Sequence, residues 1–184
     1  MRKVLVLLAL VAMTSELYAQ DIPSKLLKKI DVEVDEFTGN TKYKSKIGGV
    51  YILSKDGVNT LRWQILSIGA TPVNIEKVQV LVNGKVTELD YTKEEYKSYT
   101  QMSRGVENTF SGGKLAQTFV DKEYYYEEID IDAGKYLELF DSIIENKEAK
   151  LKYSGARDVV GVLDKKRVTS IKYVIELYKY LNKK

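Results

Sequence analysis

Residues 50–63 have the sequence VYILSKDGVNTLRW, in which Asp56-Gly57 separates two runs rich in apolar residues. A two-residue hairpin turn needs positive φ at its central positions, and an Asp-Gly pair tolerates that conformation. With this dipeptide at the tip, four large apolar side chains share one face of the hairpin, namely Val50, Ile52, Leu61 and Trp63. The stretch therefore predicts an antiparallel β-hairpin with one buried face.

A second hairpin is predicted around Asn83-Gly84, a dipeptide of the same kind. Its buried face receives alternate residues from both flanks, which are Val78, Val80, Val82, Thr87, Leu89 and Tyr91. Residues 30–37 and 41–45 are more polar, and they predict a further strand pair towards a sheet edge. We therefore expect the first half of the chain to consist largely of antiparallel strands.

The last third changes character, because helical periodicity appears between short strand patterns. Three strands are predicted there, at residues 124–131, 149–153 and 159–163. Asp132 and Asp164 are placed to cap two amphipathic helices, each with an apolar stripe along one face. This order predicts a single α+β domain over residues 21–184, with a mostly antiparallel sheet and the two helices of the C-terminal third packed on one face.

Residues 92–122 are the least regular part of the chain. The stretch from Thr92 to Glu95 matches a capping box, which predicts a short helix bearing Tyr96, Tyr99 and Met102. Beyond this helix, glycines interrupt a polar run with little periodicity. A loop of this length inside a compact domain is uncommon, and it is either functional or mobile.

The first residues have the three-part layout of a secretory signal peptide. Two basic residues precede an apolar run at residues 4–13, and a polar stretch follows. An apolar run this short falls well below the roughly 20 residues that a membrane-spanning helix needs. We therefore expect residues 1–20 to be a cleaved signal peptide, with cleavage after Ala19 or Gln20.

The chain of 184 residues contains no Cys and no His. These absences exclude disulfides, Cys or His nucleophiles, Ser-His-Asp triads, and zinc or copper sites built from nitrogen and sulfur ligands. The lack of Cys also removes the acceptor for a bacterial lipid anchor, so we expect a periplasmic or extracellular protein that is not lipid-anchored. A net charge of +3 is too small to indicate a nucleic-acid partner. The sequence indicates no membrane span, no metal site and no cofactor.

Tyrosine is the most unusual feature of the composition, with 14 Tyr against one Trp. Its side chain combines a rigid apolar ring with a hydroxyl, which suits a protein interface or the stacking of a sugar. On the predicted strand, Tyr124 and Tyr126 share one face, while Tyr125 turns towards the core. We predict an exposed ligand-binding patch formed by Tyr124 and Tyr126 with Tyr96 and Tyr99 beside them.

These observations favour a non-enzymatic binding or interaction domain for a protein or glycan of the cell envelope. The alternative is a small carboxylate-dependent glycan hydrolase, which requires two carboxyl groups facing each other across a cleft. A third possibility is an adhesion domain stabilised by calcium. The sequence leaves the oligomeric state open.

Two segments resemble parts of uncharacterised exported proteins of Bacteroidetes-type Gram-negative bacteria. One is residues 30–39, which include the run from Val34 to Gly39, and the other is residues 151–155, which precede a long helix through Tyr178. Ala19-Gln20 at the predicted cleavage site is also similar to what those bacteria use. The resemblance covers the two ends of the chain and rests on short structural motifs. It implies a periplasmic or surface setting and transfers no catalytic residue.

Overall fold

Two antiparallel β-sheets and three α-helices make up the described part of the chain, which is residues 22–111 and 114–183 of a computed structural model. The signal peptide predicted at residues 1–20 lies outside these residues. The α+β class and the mostly antiparallel pairing predicted from the sequence are confirmed.

The first sheet has six strands in the spatial order β1-β2-β3-β4-β8-β7. These strands are β1 (Ile30–Val34), β2 (Thr41–Ser45), β3 (Val50–Lys55), β4 (Val58–Gly69), β7 (Tyr96–Ser111) and β8 (Lys114–Asp132). The second sheet has the order β10-β9-β5-β6. Its strands are β5 (Lys77–Val82), β6 (Lys85–Leu89), β9 (Ala149–Ser154) and β10 (Val159–Leu163). The helices are α1 (Ser24–Leu27), α2 (Leu137–Asn146) and α3 (Lys165–Leu181).

The hairpin predicted at residues 50–63 forms in the expected register, with Val50 opposite Trp63 and Ile52 opposite Leu61. Its tip residues adopt positive φ, at 50° for Asp56 and 78° for Gly57. The Asn83-Gly84 hairpin also forms, and its inward side chains Val78, Val80, Val82 and Leu89 are buried. The predicted polar strand pair is present as β1 and β2, and β1 lies at a sheet edge as expected.

The two longer helices lie against the strands through their apolar stripes. Helix α3 contacts β1 to β4 of the first sheet and β10 of the second, while α2 contacts α3 and β5. Trp63 of β4 and Phe140 of α2 meet in the core with ring centroids 5.0 Å apart. Asp164 caps α3 as predicted, since its Oδ1 accepts a hydrogen bond from the backbone N–H of Arg167 at 2.9 Å.

The helix predicted after Asp132 begins later than expected. Asp132 Oδ1 accepts from the backbone N–H of Gly134 at 2.9 Å, and a single 3₁₀ turn, Gly134–Tyr136, follows. The α-helix itself starts only at Leu137. Asp132 therefore does not cap α2, and its hydrogen bond goes to the first residue of the 3₁₀ turn.

The short helix and irregular loop predicted between residues 92 and 122 are wrong. The capping-box contact does form, because Glu95 Oε2 accepts from the backbone N–H of Thr92 at 2.8 Å, but it closes one turn only. From Tyr96 onwards the chain is a strand that pairs with β8 along its whole length. Backbone pairing with a distant segment has overridden a local helix signal.

A buried carboxylate joins the two sheets. Glu127 of β8 is 1% exposed. Its Oε2 accepts from the backbone N–H of Val73 at 2.5 Å, and its Oε1 accepts from the N–H of Ile75 at 3.0 Å and from the hydroxyl of Tyr96 at 2.8 Å. Val73 and Ile75 belong to the connection between β4 and β5, so these bonds fix the path of the chain from the first sheet to the second.

Replacing Glu127 with Gln tests this link. The amide NH₂ would face backbone N–H donors that now have an acceptor, so we expect a loss of about 1 to 3 kcal/mol in the free energy of unfolding. Glu128→Gln is the matched control, since Glu128 lies on the other face of the same strand opposite Lys97 and should lose about 0.5 kcal/mol or less. Urea unfolding measures both, and equal stability of the two variants would contradict the role of Glu127.

Gly48 and Gly49 let the chain pass close to α3 and to β4 before β3 begins. A Cβ placed on Gly48 would lie 2.8 Å from Ile171 Cγ1 of α3. The backbone N–H of Ile47 donates to Ser170 Oγ of α3 at 3.2 Å. Gly49 has φ +73°, and a Cβ placed on it would lie 2.0 Å from the carbonyl oxygen of Gln64. Only a residue without a side chain fits this close approach.

Gly39 provides a matched test of this steric constraint, because it has nearly the same φ, +71°, with no atom within 4 Å of an added Cβ. Gly39→Ala should cost only the backbone strain of about 1 kcal/mol. Gly49→Ala should cost roughly 3 kcal/mol or more, because the backbone of β4 must move as well. Thermal unfolding of the two variants gives the comparison, and equal losses would show that the close approach is unimportant.

Candidate functional site

A two-stranded arm extends from the first sheet. Strand β4 ends at Gly69, which pairs with Tyr125 of β8. Beyond that point β7 and β8 continue to pair with each other, from Gln101 opposite Tyr124 to Ser111 opposite Lys114. We call residues 101–111 and 114–124 the arm. At about 3.4 Å per residue, it is roughly 35 Å long.

An apolar surface lies where this arm leaves the sheet. On the outer face, Ile68 of β4, Tyr126 of β8 and Tyr99 of β7 are direct neighbours across three strands. The rings of Tyr99 and Tyr126 are stacked, with centroids 5.0 Å apart and planes 4° from parallel. We call this surface the tyrosine face, and its members are Leu66, Ile68, Tyr99, Tyr124 and Tyr126.

The members of the tyrosine face are accessible to a partner. Ile68 is 52% exposed and Tyr99 is 50% exposed, while Leu66 is also exposed. Tyr124 and Tyr126 are half-buried. Large apolar side chains in adjoining positions on an outer sheet face are unusual, because such faces are normally polar.

Three of the four tyrosines predicted as a patch come together, and Tyr96 does not join them. Tyr96 pairs with Ile129 on the inner face, and its hydroxyl donates to the buried carboxylate of Glu127. Burial and this hydrogen bond raise the pKa of Tyr96. The predicted helix would have placed Tyr96 and Tyr99 on one face, but residues three apart on a strand point to opposite faces.

Tyr125 differs from the sequence prediction in its burial. It lies on the inward side of β8 as expected, yet it is only half-buried, and its hydroxyl donates to Glu123 Oε2 at 3.1 Å. Glu127 is the last buried residue of β8 on the way towards the arm. The core ends at Glu127. Strand alternation therefore predicted correctly that Tyr125 points inward, but the prediction that it is part of the core is wrong.

Leu66 and Ile68 are members of the tyrosine face that the sequence reasoning missed. They alternate along β4 with Ile65 and Ser67, which are buried. The signal was present, because apolar residues occupy both phases of the strand from Ile65 to Ile68. An apolar residue at the outward phase of a half-exposed strand indicates a surface that something covers.

The middle of the same outer face is polar and internally paired. The hydroxyl of Tyr51 donates to Asp130 Oδ2 at 2.6 Å, and Arg62 Nε donates to Asp130 Oδ1 at 3.2 Å. Burial, followed by the hydrogen bond to Asp130, raises the pKa of Tyr51. The tyrosine face is therefore a local apolar surface beside a closed polar network.

A polar groove of about 520 Å³ lies between the start of β4, the β6–β7 connection and the turn before α2. Its three carboxylates, from Asp90, Glu95 and Asp132, each have a structural contact. Lys135 Nζ lies 3.1 Å from Asp90 Oδ2, and the backbone N–H of Gly134 donates to Asp132. The hydrogen bond from the backbone of Thr92 lowers the pKa of Glu95, whereas a glycosidase acid needs a raised pKa.

The contacts of these three carboxylates and the lowered pKa of Glu95 do not favour the hydrolase alternative for this groove. Within residues 22–111 and 114–183, no cluster of three or more acidic side chains is arranged to hold a metal ion. No helix in that same part of the chain is long and apolar enough to cross a membrane.

Comparisons with known proteins give no further guide to the site. No model of a known protein family matches the sequence, and neither the curated proteins nor the solved structures contain a match.

Proposed function

We propose that this protein is a non-enzymatic binding domain of the cell envelope that captures a protein partner on its tyrosine face. The observation that carries the proposal is the row of Ile68, Tyr126 and Tyr99 on the outer face of the first sheet. The predicted signal peptide and the resemblance to exported proteins support a periplasmic or extracellular location.

The distribution of polarity on the outer face supports a binding role. The network of Tyr51, Asp130 and Arg62 occupies the middle of this face with paired polar groups. Apart from Val58 at the tip of the β3–β4 hairpin, the large exposed apolar side chains of β4 on this face, Leu66 and Ile68, lie at the end nearest the arm. Aromatic residues with apolar neighbours are typical of the centre of protein interfaces, where they supply most of the binding energy.

The composition of the surface favours a protein over a glycan. Tyr99 and Tyr126 stack on each other, so each ring already covers one face of the other. Leu66 and Ile68 beside them offer aliphatic contact and no hydrogen-bonding groups. A sugar needs polar groups around an open ring face, whereas a protein side chain packs well against this mixture.

The test uses the triple variant Ile68→Thr, Tyr99→Thr and Tyr126→Thr, in which each new residue retains a preference for strands. Capture of envelope proteins by the immobilised domain should fall roughly tenfold or more, because truncation of central interface residues commonly costs more than 1 kcal/mol each. The captured protein is identified by mass spectrometry after crosslinking.

The matched control is Val160→Thr with Val162→Thr, two exposed valines on the outer side of β10 in the second sheet. This control should capture the partner as well as the wild type does, and unfolding curves should show that both variants remain folded. Unchanged capture by the triple variant, or equal loss in the control, would refute the tyrosine face as the binding surface. Capture that survives protease treatment of the extract would indicate a glycan instead.

A further inference from the structure

The free edge of β7 indicates a second interaction, which needs no partner on the tyrosine face. We propose that β7 pairs with β7 of a second copy of this chain, in antiparallel orientation about a two-fold axis at Met102. The two arms then form one continuous four-stranded ribbon. This inference holds whether or not a protein partner binds the tyrosine face.

The length of β7 distinguishes it from every other sheet edge in the described residues. The edge strands β1, β6 and β10 have five residues each, and the free edge of β8 in the arm has 11, whereas β7 has 16. Proteins usually protect edges by keeping them short or by placing charges or Pro on them. Strand β7 has no Pro, and its stretch from Ser98 to Ser103 carries no charge. It is therefore a long template for pairing with another strand.

The arm also lacks support from the rest of the domain. No third strand pairs with it in the described residues. Two of its large apolar side chains stand in solvent, since Met102 is 62% exposed and Phe119 is 70% exposed. Arg104 Nε lies 3.2 Å from Asp121 Oδ1, but both side chains are exposed and such pairs contribute little. A two-stranded ribbon is marginally stable in water, and a third and fourth strand would stabilise it.

A second copy fits this edge because β7 is compatible with itself. In an antiparallel pair centred on Met102, Met102 faces its own copy, Tyr99 faces Gly105, and Arg104 faces Thr100. No charges of the same sign oppose each other among these residues. At Gly105 the nearest atom to an added Cβ is Val120 O at 3.7 Å, so a cross-strand tyrosine ring has room to cover the glycine. A pair centred on Arg104 would instead oppose two guanidinium groups.

The proposed symmetry has a geometric consequence for the outer surface. A two-fold axis between antiparallel strands runs perpendicular to their common sheet, so the same face of both copies points to the same side. The two tyrosine faces would then lie on one side of the dimer.

The chain contains no Cys, so a single introduced cysteine reports on this pairing without interference. Met102→Cys should form a covalent dimer under mild oxidation, because directly opposed residues have Cβ atoms about 4.5 to 5.5 Å apart, close to disulfide geometry. Gln117→Cys is the matched control, since Gln117 is exposed on β8, away from the proposed interface. We expect roughly tenfold more covalent dimer from Met102→Cys than from the control.

Two further measurements keep the test independent of the cysteine variants. Wild-type protein should show concentration-dependent dimers by sedimentation, and Met102→Lys should weaken the dimer roughly tenfold or more by opposing two ammonium groups at the axis. Phe119→Lys, on β8, should leave the dimer unchanged. A monomer at every soluble concentration, equal crosslinking at residues 102 and 117, or crosslinking of Met102→Cys to a different protein would overturn the proposal. Capture by the tyrosine face is measured separately, so either proposal can fail without the other.

Discussion

The buried carboxylate of Glu127 is the interaction on which the arrangement of the two sheets depends. A charge removed from water is tolerated only when its oxygens are hydrogen-bonded, and Glu127 accepts from Val73, Ile75 and Tyr96. Those donors belong to the β4–β5 connection and to the first residue of β7. One side chain thus fixes the crossing to the second sheet and the base of the arm, and it marks the boundary at which the core ends.

Local patterns predicted the parts of the fold whose partners are close in sequence. The hairpins at Asp56-Gly57 and Asn83-Gly84 were predictable because turn chemistry and the apolar alternation of their flanks agree. The arm was not predictable in this way. The capping box from Thr92 to Glu95 does form, but it closes one turn only, and the sequence analysis extended that turn into a helix. What converts the following residues into a strand is pairing with β8, and the sequence around Tyr96 contains no trace of that partner.

The residues of the candidate site also divide into those that a local pattern predicts and those that depend on pairing between strands. Tyr124 and Tyr126 were placed correctly on one face, since strand alternation alone decides that relation. Tyr96 was misplaced because residues three apart lie on the same side of a helix but on opposite sides of a strand, and the sequence analysis chose the helix. Apolar residues at both phases of β4 already indicated Leu66 and Ile68, but their position beside Tyr126 follows only from the pairing of β4 with β8.

The packing of α3 has a consequence for the order in which the molecule can fold. This helix ends the described chain, yet it covers β1 to β4, and Ser170 accepts a hydrogen bond from the backbone of Ile47 near the beginning. The inner face of the first sheet therefore stays open until α3 is available to cover it. Such long-range closure slows folding and keeps the nascent chain from reaching its final form early.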